Sequence, residues 1–131
     1  MSVVVDASVA VEYLLRTELG ERAAEQLERE TLLAPELIDV EVFAVLRRAV
    51  RARELGAQRA EQALEDLAAW DLERLPHRAL WRIAWKYRAN VSAYDAFYVA
   101  AAALYDVPLV TADGTLARAP RLGVLVQNLR S

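Results

Sequence analysis

The stretch Val3-Val4-Val5, followed at once by Asp6, constrains this chain more than any other. Three β-branched residues without polar alternation suit a strand buried on both faces, the condition of a central strand in a parallel sheet. A carboxylate at the tip of such a strand stands at the edge of an open α/β sheet, where ligands gather. Other acids that reach this edge would define a site.

The rest of the chain alternates helical and strand patterns. Residues 8–15 read as a short helix, capped by Asp6 or Ser8. Residues 18–30 form a clearer amphipathic helix with Leu19, Ala23, Ala24 and Leu27 on one stripe. Residues 31–34 make a second strand closed by Pro35. A long helix follows over 36–55, stopped by Gly56, and another over 57–70. A third strand is expected at 72–75, then a helix from Pro76 to about residue 89. Ser92-Ala93-Tyr94-Asp95 has capping-box spacing and opens an Ala-rich helix reaching residue 105. Strands at 108–111 and 124–126 complete the pattern. Short apolar strands alternating with helices predict an α/β fold, a five-stranded parallel sheet with helices on both faces in three layers. With no linker, repeat or low-complexity tract, the expectation is a single domain over 1–131.

Composition narrows the setting. The absence of cysteine excludes disulfides and thiolate metal sites and suits a reducing cytoplasm. No apolar run reaches the roughly 18 residues of a membrane span, and no basic-then-apolar leader opens the chain. The expected location is therefore cytoplasmic, with no membrane contact. A net charge of −3 argues against binding nucleic acid by bulk charge alone. Of the 16 basic residues only Lys86 is lysine, so phosphate contacts here would be arginine contacts.

Asp113 ends the fourth strand as Asp6 ends the first, and parallel strands finish on one edge. Asp95, in the first turn of the helix leading into that strand, belongs to the same edge. Glu41 has Leu37, Ile38, Ala44 and Val45 as helical neighbours, so its charge lies in an apolar seam. Asp39, beside Pro35 and Glu36, reads as surface. Each acid alone also fits a structural role: Asp6 and Asp95 as helix caps, Asp113-Gly114 as a turn, Glu41 as a partly exposed helix residue. Together at one edge they repel and raise one another's pKa values. A hard, oxygen-preferring cation, Mg²⁺ or Mn²⁺, resolves that repulsion and serves phosphodiester hydrolysis.

Val3-Val4-Val5-Asp6-Ala7-Ser8, Ala34-Pro35-Glu36-Leu37 with Glu41, Ser92-Ala93-Tyr94-Asp95-Ala96 and Leu109-Val110-Thr111-Ala112-Asp113 occur in this order. In that set the chain resembles the PIN-domain family, specifically VapC-type toxins of toxin–antitoxin pairs, over nearly its whole length. The resemblance implies a PIN-like sheet and Mg²⁺- or Mn²⁺-dependent endoribonuclease activity on transfer or ribosomal RNA. It places the catalytic and metal-binding quartet on Asp6, Glu41, Asp95 and Asp113. It also implies a homodimer neutralised by a cognate VapB antitoxin, with operator DNA contacted only through that antitoxin. Ser8 and Thr111 match positions where a hydroxyl often lines the site, although a cap and a strand end explain them equally well. Tyr94 is a candidate for the groove's edge.

The remaining polar and aromatic residues have plainer readings. Arg78, Arg82 and Lys86 share one helical face and Arg47 and Arg51 another; solvated faces are the simpler account, an RNA backbone the alternative. His77 has no His or Cys companion and is not expected to bind metal. Trp70, Trp81 and Trp85 read as core or subunit-interface residues before base-stacking ones, and Tyr98 as packing. Two other functions compete: a non-catalytic PIN-like module docking a protein in the same groove, and a receiver-like phosphoacceptor. The second wants a lysine near the acids, and Lys86 lies mid-helix, away from them.

Overall fold

A computed structural model describes residues 1–131. Its centre is β1 (Ser2–Val5), whose valines are fully enclosed, as a strand covered on both faces requires. The chain then runs through α1 (Ala7–Leu15), α2 (Glu18–Arg29), β2 (Thr31–Pro35), α3 (Leu37–Arg51), α4 (Ala57–Ala69) and β3 (Leu72–Leu75). A 3₁₀ turn (His77–Ala79), α5 (Trp81–Lys86), α6 (Ala93–Tyr105), β4 (Leu109–Thr111), α7 (Gly114–Ala117) and β5 (Val126–Asn128) follow.

All pairings are parallel, in the order β3-β2-β1-β4-β5. Val4 is held opposite Leu33 on one side and Leu109 on the other. From β1 the chain steps outward twice, to β2 and β3, then returns past β1 to β4. Right-handed crossovers therefore place α1–α4 on one face and α5–α6 on the other. The change of direction falls between β1 and β4, so the crevice beyond their C-terminal ends is the topological switch point. The expected five-stranded, three-layer α/β architecture is the one observed.

Three boundaries differ from expectation. The long helix ends at Arg51 rather than near residue 55, because Arg53 turns left-handed (φ 61°) and the Glu54 amide closes back on the Ala49 carbonyl. Gly56 caps the next helix instead of ending the last. The helix expected over 76–89 is a 3₁₀ turn and a short α5, both without a side-chain cap. The last strand lies two residues later than expected, since Gly123 (φ 68°) delays the chain's return to the sheet edge.

Buried apolar residues from both faces form one core, with Ile38, Val42 and Leu46 of α3, Val99 of α6 and Leu80 before α5 among the fully enclosed. His77 fixes where α3 starts: its Nε2 accepts the Leu37 amide (2.9 Å), and its ring meets Phe97 of α6 edge-on. The histidine is structural, tying the two helices that carry Glu41 and Asp95.

Candidate active site

Asp6 is the best-anchored side chain at the strand ends. It caps α1, with Oδ1 accepting from the Val9 amide (3.1 Å) and the Ser8 hydroxyl (2.6 Å). Oδ2 accepts from the Thr111 hydroxyl, across the β1–β4 seam. Ser8 Oγ in turn accepts the Ala112 amide (2.9 Å), and Thr111 Oγ1 the Asp113 amide (2.9 Å). Both hydroxyls thus brace a buried carboxylate and tie β1 to the end of β4. Cap and candidate site residue are the same aspartate.

Asp113 caps the short α7 through the Thr115 amide (2.9 Å) and stays exposed. Asp95 is half-buried in the first turn of α6, where Ser92 Oγ accepts its amide (3.1 Å). Glu41, one turn into α3, is half-buried with Oε1 fully enclosed and without a hydrogen-bond partner. Tyr98, on the same face of α6 as Asp95, is the neighbour sequence reasoning assigned only to packing. Its ring does pack, but its hydroxyl is buried beside Glu41, outside hydrogen-bond geometry, and also lacks a partner. The i, i+3 spacing from Asp95 was the available signal.

The electrostatics tie the four acids together. Burial pushes Asp6 above the ordinary carboxylate range against three donors that pull it down, and Asp95 adds repulsion. Glu41 is raised by burial and by Asp95 and Asp6, with only the Tyr98 hydroxyl opposing. Asp95 is raised by burial and by Asp113. Burial and the neighbouring carboxylates push the Tyr98 phenol far above its usual value. None of the four enters a salt bridge with Arg or Lys. Asp39, by contrast, is paired with Arg74 (3.0 Å), as befits its surface reading.

The donor chemistry suits a hard divalent cation: oxygens only, one enclosed and unpartnered, mutually repelling, with no cationic side chain to neutralise them. No three acids or histidines in the molecule stand at ligating distance of one another. The quartet surrounds the strand-end crevice rather than converging on one point. A separate hollow of about 410 Å³, lined by Tyr13, Arg16, Gly20, Glu28 and Trp70, contains none of the quartet and is a gap between α1, α2 and α4. Tyr94, next to Asp95 in the chain, is 64% exposed. Trp70 stacks on Tyr13 (centroids 4.9 Å) as a packing residue, whereas Trp81 and Trp85 lie on the surface.

Comparison with known proteins agrees with this fold. A family model described as PIN domain matches residues 3–122. Ribonuclease VapC1 of Mycobacterium tuberculosis is 40% identical over 129 residues, covering 97% of each protein. Ribonuclease VapC9 of the same organism is 40% identical over 111 residues, 85% of each. Among solved structures, VapBC2 from Rickettsia felis bound to a promoter DNA fragment superposes with a TM-score of 0.63 at 14% identity, covering 98% of both chains. FitAcB from Neisseria gonorrhoeae does so with a TM-score of 0.63 at 17% identity and the same coverage. At those identities the structural likeness speaks for the fold.

Proposed function

The chain belongs to the PIN-domain family, and from that membership we propose that it is a Mg²⁺- or Mn²⁺-dependent endoribonuclease toxin held in check by a VapB-type antitoxin. The whole of 1–131 is read as one such domain. The observation that carries the reading is the enclosed, unpartnered Glu41 Oε1, repelled by Asp6 and Asp95 with no basic side chain in reach. Identity to proteins named ribonucleases supplies the substrate class.

Asp6, Glu41, Asp95 and Asp113 would hold the cation. When bound, it supplies positive charge toward a phosphodiester and acidity toward water. The protein's part is pre-organisation. Ser8, Thr111 and the Val9 amide fix the orientation of the Asp6 carboxylate, and the Thr115 amide fixes Asp113. The products of hydrolysis are taken to carry 5′-phosphate and 3′-hydroxyl ends, the substrate being transfer or ribosomal RNA in the cytoplasm.

The working form is read as a homodimer bound to antitoxin, with operator DNA touched only by the antitoxin. Exposed Val40 and Phe43 on α3, beside an apolar groove lined by Leu46, Val50 and Leu64, support a protein partner on that helix. The direct test is cleavage of RNA by purified protein with Mn²⁺ or Mg²⁺, arrested by chelator. Asp6→Asn or Asp95→Asn should each lower the rate by more than about 100-fold, since even outer-shell changes at metal sites cost 10–100-fold. Undiminished cleavage by the double variant overturns the proposal. Mn²⁺ binding measured by calorimetry separates it from a non-catalytic module.

A further inference from the structure

We infer that α5 and its flanks form a platform on which unpaired nucleotides of the RNA stack as the strand runs into the acidic crevice. The inference rests on the ribonuclease reading and adds to it residues outside the quartet.

Between Leu75 and Tyr94 the sequence contains Arg78, Arg82, Lys86 and Arg88 and not one Asp or Glu. A +4 segment in a chain of net charge −3 is a local reversal of sign. All four side chains are exposed, and none forms a salt bridge. A solvated helix face would pair its cations with Glu partners. This one offers them to an external polyanion.

The same face carries two large aromatic rings. Trp81 and Trp85, one helical turn apart, are 48% and 62% exposed. Each has a guanidinium over it, Arg82 at 4.5 Å from the Trp81 ring and Arg88 at 4.8 Å from the Trp85 ring. Arg88 also donates to the Trp85 carbonyl (2.9 Å), which holds its position. Alternating indole faces and arginines are what single-stranded nucleic acid binds: bases stack on the rings while phosphates meet the cations. Duplex RNA hides its base faces and fits such a surface poorly.

The platform is continuous with the site. His77, at its start, accepts the Leu37 amide at the head of α3 and contacts Phe97 of α6, two residues from Asp95. At its far end, exposed Tyr94 adjoins Asp95 itself. A strand lying along α5 is thereby delivered to the helix starts that carry Glu41 and Asp95.

The test is binding of a fluorescein-labelled single-stranded RNA 12-mer, and of its duplex, by fluorescence anisotropy in chelator so that nothing is cut. Trp81→Ala and Trp85→Ala should each weaken single-strand binding by about 5- to 150-fold, the range for losing one stacked base. Trp85→Phe should retain most of the affinity. Arg88→Gln should flatten the dependence of log K on log salt by roughly 0.7, one phosphate contact. Poly(U) should quench the tryptophan fluorescence of the parent protein and not of the double Trp→Ala variant. Both rings lie at the surface, so circular dichroism should show the alanine variants folded; were one not, Trp85→Phe and Arg88→Gln still carry the comparison. If the parent binds and cuts RNA while both alanine variants bind it equally well, the platform is overturned and the ribonuclease reading stands. Conversion from dimer to monomer in sedimentation, with RNA affinity per protomer unchanged, assigns the face to a subunit interface and likewise overturns it. If the parent neither binds RNA nor cuts it with Mn²⁺, both readings fall together.

Discussion

Replacing Glu41 by Gln should stabilise the metal-free protein while abolishing its activity. Gln keeps the volume and removes the charge. Glu41 Oε1 is enclosed without a partner and repelled by Asp6 and Asp95. The Gln amide keeps a polar atom in the same place, so the gain is the relieved repulsion and desolvation of the charge, about 1 kcal/mol for a side chain only half-buried and screened by solvent. At roughly 2.1 cal/mol/K of unfolding entropy per residue, 131 residues give about 0.28 kcal/mol/K, so ~1 kcal/mol raises Tm by roughly 4 °C. The pH dependence follows from the direction of the shift. The folded-state pKa of Glu41 is raised above its ordinary 4.5, so its protonated form stabilises the fold below that value, and the stabilisation is lost as pH rises through the raised value. The Tm difference between variant and parent should therefore be near zero at pH 4 and grow toward pH 7. Mn²⁺ should reverse the order at neutral pH: at 100 times its Kd a ligand adds about 2.7 kcal/mol, and Gln cannot supply the charge that binds it. Calorimetric scans of both proteins from pH 4 to 8, with chelator and with Mn²⁺, measure all of this. A Tm lowered by the substitution in chelator, or a difference that shrinks as pH rises, would refute the reasoning.

Other residues give sharper structural tests. Ser8→Ala removes the donor to Asp6 and leaves the Ala112 amide without an acceptor, a loss of about 1–3 kcal/mol in urea unfolding. Gly20→Ala would place a Cβ 2.0 Å from the Glu12 carbonyl oxygen; backbone cannot yield as a side chain does, so α1 and α2 should separate at a cost of about 1–3 kcal/mol or more, read from the same urea curves. Asp39→Asn breaks a partly exposed pair with Arg74 and should cost only about 0.2–1 kcal/mol, less at high salt, with RNA cleavage unchanged.

The sequence by itself determined the sheet and which acids stand at its strand-end edge. Val3-Val4-Val5 can be satisfied only where both faces are covered, and in a parallel sheet that fixes Asp6 at the strand-end edge. Alternation then brought Asp95 and Asp113 to the same edge, and the apolar seam around Glu41 marked it as a charge needing company. These are local patterns read through one topological rule. What only the tertiary structure decided are relations between residues far apart in the chain. The two hydroxyls bracing Asp6 come from α1 and β4, and nothing within either segment announces the other. The Tyr98 hydroxyl became a neighbour of Glu41 only when α6 and α3, from opposite faces of the sheet, met at its strand-end edge. His77, not expected to bind metal, was given its role by packing: it holds the start of α3, 40 positions back along the chain. The 3₁₀ turn that follows Pro76, which periodicity smoothed into one helix, leaves only a short α5 that buries Ala84 and exposes Trp81 and Trp85. Periodicity records which side of an element is apolar; which polar atoms meet across elements depends on packing, and packing is settled only in three dimensions.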